Sequence, residues 1–317
     1  MRIARLPAEN PRTQGPERRA WYRKHSSEHL RSVAALVDEG IHARQAAAAP
    51  RTVVLGAGAC TELPLERLAR ASRSVLLVDL DVPGMARARD ELPEALRSRV
   101  DLLQADLSGG VSDALAVELT MQPWNDLAQL GARAPLDTAA SCIERCPVPD
   151  PPRIPQLTQG DYDLVLSTLV LTQLFSLPLL DVVDTLAYHA AGVVDLRETY
   201  PRYREAAQGF RRRIVLAHLA LLESLLAPGG VAILMSDETG YLLPPVSGPH
   251  MRDPREELPL LPQDVLDLPG DLEKRFEVVG SPRTWEWLVT APTSTMPGRL
   301  YDVFGVVLRT RDEAEAR

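Results

Sequence analysis

VVLGAGACTELPL, residues 53–65, is where the fold is decided. The β-branched and apolar run 52–55 ends at Gly56, Gly58 follows, and a helical stretch then covers 63–71. Glycine lets the backbone turn sharply at a strand end and removes the Cβ that would hold a ligand away. The helix that follows aims backbone N–H groups at the same ligand. Two glycines at this spacing are weak evidence alone, because many tight turns have them. The third glycine of the dinucleotide fingerprint G-x-G-x-x-G is missing: Thr61 stands in its place, and Cys60 in the alternative position.

Reading outward, residues 74–78 form a second apolar run, ended by Asp79, and 83–96 read as a helix. A third run, 100–103, precedes Asp106. Strand–helix–strand–helix–strand at short intervals predicts a parallel sheet with helices on both faces. Strands buried on both sides are apolar throughout instead of alternating, as these are. Adjacent strand ends in such a sheet converge on a ligand crevice, and a carboxylate at Asp79 can accept both hydroxyls of a ribose there. The ordinary reading of Asp79 is a strand-terminating turn residue. Asp81 reads as a helix cap or turn residue. Asp106 can accept from an adenine amino group, or be an ordinary turn aspartate.

The rhythm breaks over 108–160, which holds one helix (111–119) and the Pro-rich stretch CPVPDPPRIP, incompatible with regular structure. Residues 121–160 are expected to be an insertion, long enough to carry a further helix. Order returns with a strand at 162–166, helices at 171–190 and 210–226, and a strand at 231–234 after LAPGG. Residues 238–262 read as a second Pro-interrupted excursion. Two antiparallel strands, 283–289 and 299–308, close the chain. Before the sheet, 1–17 read as a loose arm and 18–48 as a helix with Leu30, Val33, Leu36 and Val37 at three- and four-residue spacings. Two units follow from this reading: an arm and helix over 1–50, expected to act as a lid, and a main domain over 51–317 with insertions at 121–160 and 238–262.

The chain has 317 residues, 45% hydrophobic, ample for a full core. Its formal charge of −8, with no long basic run, argues against a protein that binds nucleic acid through phosphates. The cysteines Cys60, Cys142 and Cys146 are too few for a disulfide scaffold. Cys142 and Cys146 lack the further nearby ligands that a metal site needs, so no metal is expected. The N-terminus has charge without an apolar core to follow it. The longest apolar run, 164–180, contains Ser167, Thr168, Thr172, Gln173 and Pro178 and reads as a strand entering a helix. A soluble, cytoplasmic protein is expected, with its oligomeric state open.

The order of elements and the motifs together resemble the class I S-adenosylmethionine-dependent methyltransferases over about 52–308, outside the insertions. The resemblance implies a doubly wound, Rossmann-like α/β fold of seven strands, mostly parallel with the last antiparallel, and here a helical N-terminal extension. It implies S-adenosylmethionine as cofactor: the loop Gly56, Ala57, Gly58 around its methionine part, Asp79 on the ribose, Asp106 and Leu107 framing the adenine. DYDLVLSTLVL (161–171) is similar to the family's fourth strand, whose end at Ser167 and Thr168 faces the sulfonium. LLAPGGVAIL (225–234) is similar to its turn and fifth strand. Two departures stand out: Val54 replaces an acid common two residues before the first glycine, and Cys60 replaces the usual third glycine. The fourth strand also lacks the Asn/Asp-Pro-Pro-aromatic signature of enzymes acting on DNA or glutamine amino groups.

A sulfonium methyl is already activated, so such an enzyme mainly aligns the acceptor, and a base is needed only where the acceptor must lose a proton. His218, in the apolar AHLALL, reads as a packed core residue, and His189 as a helix-end residue. His25 and His250 are the candidate bases, each with a solvated-loop alternative; Tyr22 and Tyr241 are similarly placed. Two Pro-rich excursions and an N-terminal helix favour a small-molecule acceptor. The competing readings are a methyltransferase fold that binds ligand without transferring methyl groups, and a nicotinamide-dependent oxidoreductase, which has no reason for LAPGG.

Overall fold

The structure is a computed structural model that describes residues 16–45, 48–245, 256–261, 265–293 and 296–311. Two helices, α1 (Pro16–His25) and α2 (Ser27–Ala43), precede β1 (Arg51–Leu55). The alternating unit then runs α3 (Leu65–Ala71), β2 (Ser74–Asp79), α4 (Val82–Asp90), α5 (Glu94–Arg97) and β3 (Val100–Gln104). The helix expected over 83–96 is thus two pieces, broken where Pro93 removes a backbone donor. Next come α6 (Val111–Thr120), α7 (Trp124–Gln129), α8 (Arg133–Arg145), β4 (Tyr162–Thr168), α9 (Leu171–His189) and α10 (Pro201–Leu225). The strands β5 (Leu226–Leu243), β6 (Glu256–Pro259), β7 (Phe276–Thr290) and β8 (Gly298–Thr310) complete the chain.

The sheet runs β3-β2-β1-β4-β5-β8-β7, with the first five strands parallel and β8 antiparallel to both its neighbours. This is the expected doubly wound sheet with a reversed last strand. An eighth strand was not foreseen: β6 pairs antiparallel with β5 through Thr239↔Pro259 to Leu242↔Glu256. It comes from one difference. The excursion expected from 238 onward begins as a continuation of β5, which runs on to Leu243 and pairs with β8 throughout. SDETG carries no strand pattern of its own; the antiparallel ladder to a partner 60 or so residues away holds it extended.

Helices cover both faces. On one, α6, α8, α9 and α10 enclose a core that includes Leu115, Ile143, Phe175, Phe210 and Leu222. The insertion at 121–160 therefore belongs to the core through α8, whose Leu136, Ala139, Ala140, Cys142 and Ile143 are buried. On the other face, α2, α3 and α4 meet Val54, Leu77, Leu164 and Ile233. Val33, Leu36 and Val37 of α2 are buried at helical spacing, each contributing up to about 1.5–3 kcal/mol of hydrophobic stabilisation. α2 is thus a wall of the sheet's core. Its start lies at the carboxyl ends of the strands, where the Ser26 hydroxyl donates to the Leu288 carbonyl at 2.5 Å. No described helix is long and apolar enough to cross a membrane.

Candidate cofactor and acceptor site

Strand order reverses between β1 and β4: the chain winds outward from β1 through β2 to β3, then returns to place β4 on the other side. A crevice opens beyond the carboxyl ends at such a switch point. The two positive-φ non-glycine residues among those described, Cys60 (φ 51°) and Leu169 (φ 54°), lie in the loops after β1 and β4. Non-glycine residues in this region cost about 1–2 kcal/mol each, and such strain concentrates at functional sites.

The glycine turn is built as its sequence requires. Gly56 (φ 76°) donates to the Val78 carbonyl at 3.0 Å, and a Cβ on it would stand 2.5 Å from that of Val170. Gly58 (φ 47°) faces open space, with nothing within 4 Å of a Cβ built on it. Gly56 is therefore glycine for packing, and Gly58 leaves room in the crevice. Ala57 is buried, its N–H on the Val78 carbonyl at 3.2 Å. Asp79 closes the turn: its Oδ2 accepts from Gly58 N–H at 2.9 Å and its Oδ1 from Asp81 N–H at 2.9 Å. Asp81 caps α4, accepting from Gly84 N–H at 2.9 Å.

The remaining expected positions divide. Asp106 serves its own loop: Oδ1 accepts from Ser108 N–H at 2.8 Å, Oδ2 from Gly110 N–H at 2.9 Å, and the Ser108 hydroxyl reaches both oxygens. These contacts occupy most of a carboxylate's roughly four acceptor positions, so the turn reading accounts for its side chain. Leu107 is buried beside it. The Ser167 side chain is fully buried under α10, bonded to His218 Nε2 at 2.8 Å. Thr168 is the β4 hydroxyl that reaches the glycine turn, donating to the Leu55 and Gly56 carbonyls at 3.1 and 2.7 Å. His25 is exposed on α1, stacked on Trp21 at 4.8 Å. His250 lies outside the described residues. Tyr22 is buried 6.0 Å from Trp287, and the Tyr241 hydroxyl donates to Asp302 at 2.7 Å. His218 is a core residue, as read, with burial lowering its pKa to about 4.

Several contributors were missed. Leu80 is 61% exposed and Leu177 58% exposed; with Leu107, Val170 and Leu174 they line a hollow whose rim carries Asp79 and Asp106. Leu80 follows β2 and Leu177 stands on α9, so the hollow sets an apolar lining beside two carboxylates. A larger trough of about 800 Å³ runs between α3 and α4, lined by Leu63, Arg67, Arg70, Ala88 and Leu92 among others. Asp237 was also overlooked. It stands past the end of β4's pairing with β5, and its Oδ1 accepts from the Thr172 hydroxyl at 2.6 Å. Burial pushes its carboxyl pKa up. Among the described residues, no group of three or more His, Cys, Asp or Glu is placed to hold a metal ion.

A doubly wound α/β domain with its ligand crevice at the β1/β4 switch point is the class that this geometry defines. The position of the reversed β8 between β5 and β7 gives it the fold of the class I S-adenosylmethionine-dependent methyltransferases. No protein-family model and no curated protein sequence matches the chain. Among solved structures, it is similar to an S-adenosylmethionine-dependent methyltransferase from Aquifex aeolicus (12% identity, 87% of each chain, TM-score 0.37). It is also similar to a putative methyltransferase from Bacillus halodurans (9% identity, 88% of this chain and 99% of that one, TM-score 0.41). A third is the glycopeptide N-methyltransferase MtfA complexed with sinefungin (13% identity, 88% and 94%, TM-score 0.36).

Proposed function

We propose that the protein binds S-adenosylmethionine across the β1/β4 crevice and transfers its methyl group to a small-molecule acceptor. The observation that carries the reading is the glycine turn tied to Asp79 at the switch point of this strand order. The residues present fit the cofactor: open space at Gly58 for its methionine part, the Asp79 carboxylate for ribose hydroxyls, and the Leu80–Leu177 platform for adenine. Bound there, the cofactor supplies an activated methyl group. The chain's task is to hold the acceptor in line with it and keep water out. α1 and the start of α2 stand at the same edge of the sheet, against the ends of β7 and β8, and wall the acceptor side as a lid.

Calorimetric titration with S-adenosylhomocysteine and with NADH tests the binding half of this reading. The expected result is saturable binding of the first and none of the second; the reverse would make the crevice a dinucleotide site. Release of S-adenosylhomocysteine over a panel of small amines, alcohols and thiols tests transfer. Tight cofactor binding with no turnover on any acceptor class would instead describe a ligand-binding protein on this fold.

A further inference from the structure

We propose that Asp237 is the acceptor-binding carboxylate of this site and that the acceptor it takes presents an amino group. This rests on the crevice being the S-adenosylmethionine site.

The placement comes first. β1 and β4 run level at Leu55↔Ser167, and β4 and β5 at Thr168↔Met235. Beyond Thr168 the chain leaves β4 for α9, with Leu169 N–H on the Met235 carbonyl at 3.0 Å. Asp237, two residues past Met235, is thus in the crevice, one strand over from the Thr168 hydroxyl that touches the glycine turn. A register shift between β5 and β8 falls at 237–239. Bulges of this kind sit beside active sites and re-aim a side chain.

The chemistry of its surroundings follows. Among the described residues, no Arg, Lys or His pairs with Asp237; its side-chain partner is the neutral hydroxyl of Thr172. A partly buried carboxylate without a cation is costly, and a ligand that brings a positive charge removes that cost. Across the ladder Asp237 lies opposite Val303, an aliphatic neighbour that offers no compensating charge. Thr172 acts as a positioning residue, holding one carboxylate oxygen so that the other faces the acceptor.

Sinefungin tests this without a known acceptor, because it carries an amino-bearing carbon where S-adenosylmethionine carries its methyl-bearing sulfonium. Its ammonium therefore probes the space from which a methyl acceptor approaches. Affinities of sinefungin and S-adenosylhomocysteine are compared by calorimetry in the parent, in Asp237→Asn and in Thr172→Val. The parent should prefer sinefungin. Asp237→Asn should lose about tenfold or more of that preference, the scale of a hydrogen bond to a charged group, while its affinity for S-adenosylhomocysteine stays within twofold or so. Thr172→Val, which keeps the charge, should lose less and carries the test if Asp237→Asn does not fold. An unchanged preference in both variants overturns the proposal and leaves Asp237 as a tie between β5 and α9. Failure of the parent to bind S-adenosylhomocysteine at all would instead remove the proposed function beneath it.

Discussion

The two sides of the sheet solve different problems. From β3 to β4 the strands are short and parallel, and the site is made by turns: a glycine loop, a carboxylate ending β2, a capped helix start. From β5 to β7 the strands are long and antiparallel, and the proposed acceptor side is made by extending β5 past its pairing with β4, where Asp237 stands. On the first side the contacts joining the glycine turn, Asp79 and the cap all fall between Gly56 and Gly84; on the second the contacts join β5 to β8, far along the chain. In the proposed function the local device holds the cofactor, and the long-range one can change with the acceptor while the sheet stays as it is.

The largest expected effect falls on the local side. Gly56→Val puts a β-branched residue at a φ of 76° and a side chain into Val170. Strain and overpacking together should cost roughly 3 kcal/mol or more, read as a lower denaturant midpoint. Loss of less than half that amount would mean that the turn is looser than its hydrogen bonds imply.

Acid sensitivity sharpens the comparison, because each side holds a buried neutral histidine. On the antiparallel side, His29 accepts from the Trp285 indole at Nδ1 and stacks on Trp287 at 4.6 Å; burial lowers its pKa to about 3. Under α10, His218 is lowered to about 4. Both are depressed below the ordinary 6.5, so below pH 6.5 the unfolded chain takes up protons that the folded one refuses. Stability is whole above about pH 6.5 and falls as pH drops towards these values, at up to about 1.4 kcal/mol per pH unit for each histidine. Denaturant midpoints from pH 7.5 to 4.5 should show this slope, and His29→Gln or His218→Gln should each flatten it. A flat parent profile contradicts the buried, neutral assignment.

Smaller effects separate neighbouring acids. Asp79→Ala should weaken S-adenosylhomocysteine binding by about 1.5–3 kcal/mol, and Asp81→Ala should leave affinity alone while costing about 1 kcal/mol of stability through the lost cap. Equal losses of affinity would erase the distinction between anchor and cap. Smallest of all, His25→Ala on exposed α1 should move stability by no more than about 0.5 kcal/mol. Whether it also removes turnover is the direct check on its role as a base.

Legibility followed the same divide. The parallel strands, the glycine turn, Asp79, the cap at Asp81 and the closing antiparallel pair were readable because apolar runs and turn residues act over short spans. The continuation of β5 was not readable: MSDETGYLL looks like a turn, and only β8 and β6 hold it extended. Asp237 went unseen for that reason, although an acid two residues past an apolar strand run has the same kind of position as Asp79. α10 begins at Pro201, ahead of the helix expected over 210–226, and its first turns were not readable because PRYREAAQ is mostly polar; Pro201 at its start and buried Tyr203, Ala206 and Ala207 are the available signals. Ser167 was assigned to the crevice by position along β4, but strand alternation turns its side chain beneath α10 and leaves Thr168 at the loop.

The most direct test of the cofactor side is the thermal shift on adding S-adenosylhomocysteine to the parent and to Gly58→Val. At a hundredfold excess over Kd, a ligand that binds only the folded state adds about 2.7 kcal/mol to its stability. The parent should show an upward shift of that size that grows with the logarithm of ligand concentration, and Gly58→Val, folded but with its open space filled, should show none. An equal shift in both proteins would place the ligand elsewhere and contradict the assignment of the β1/β4 crevice.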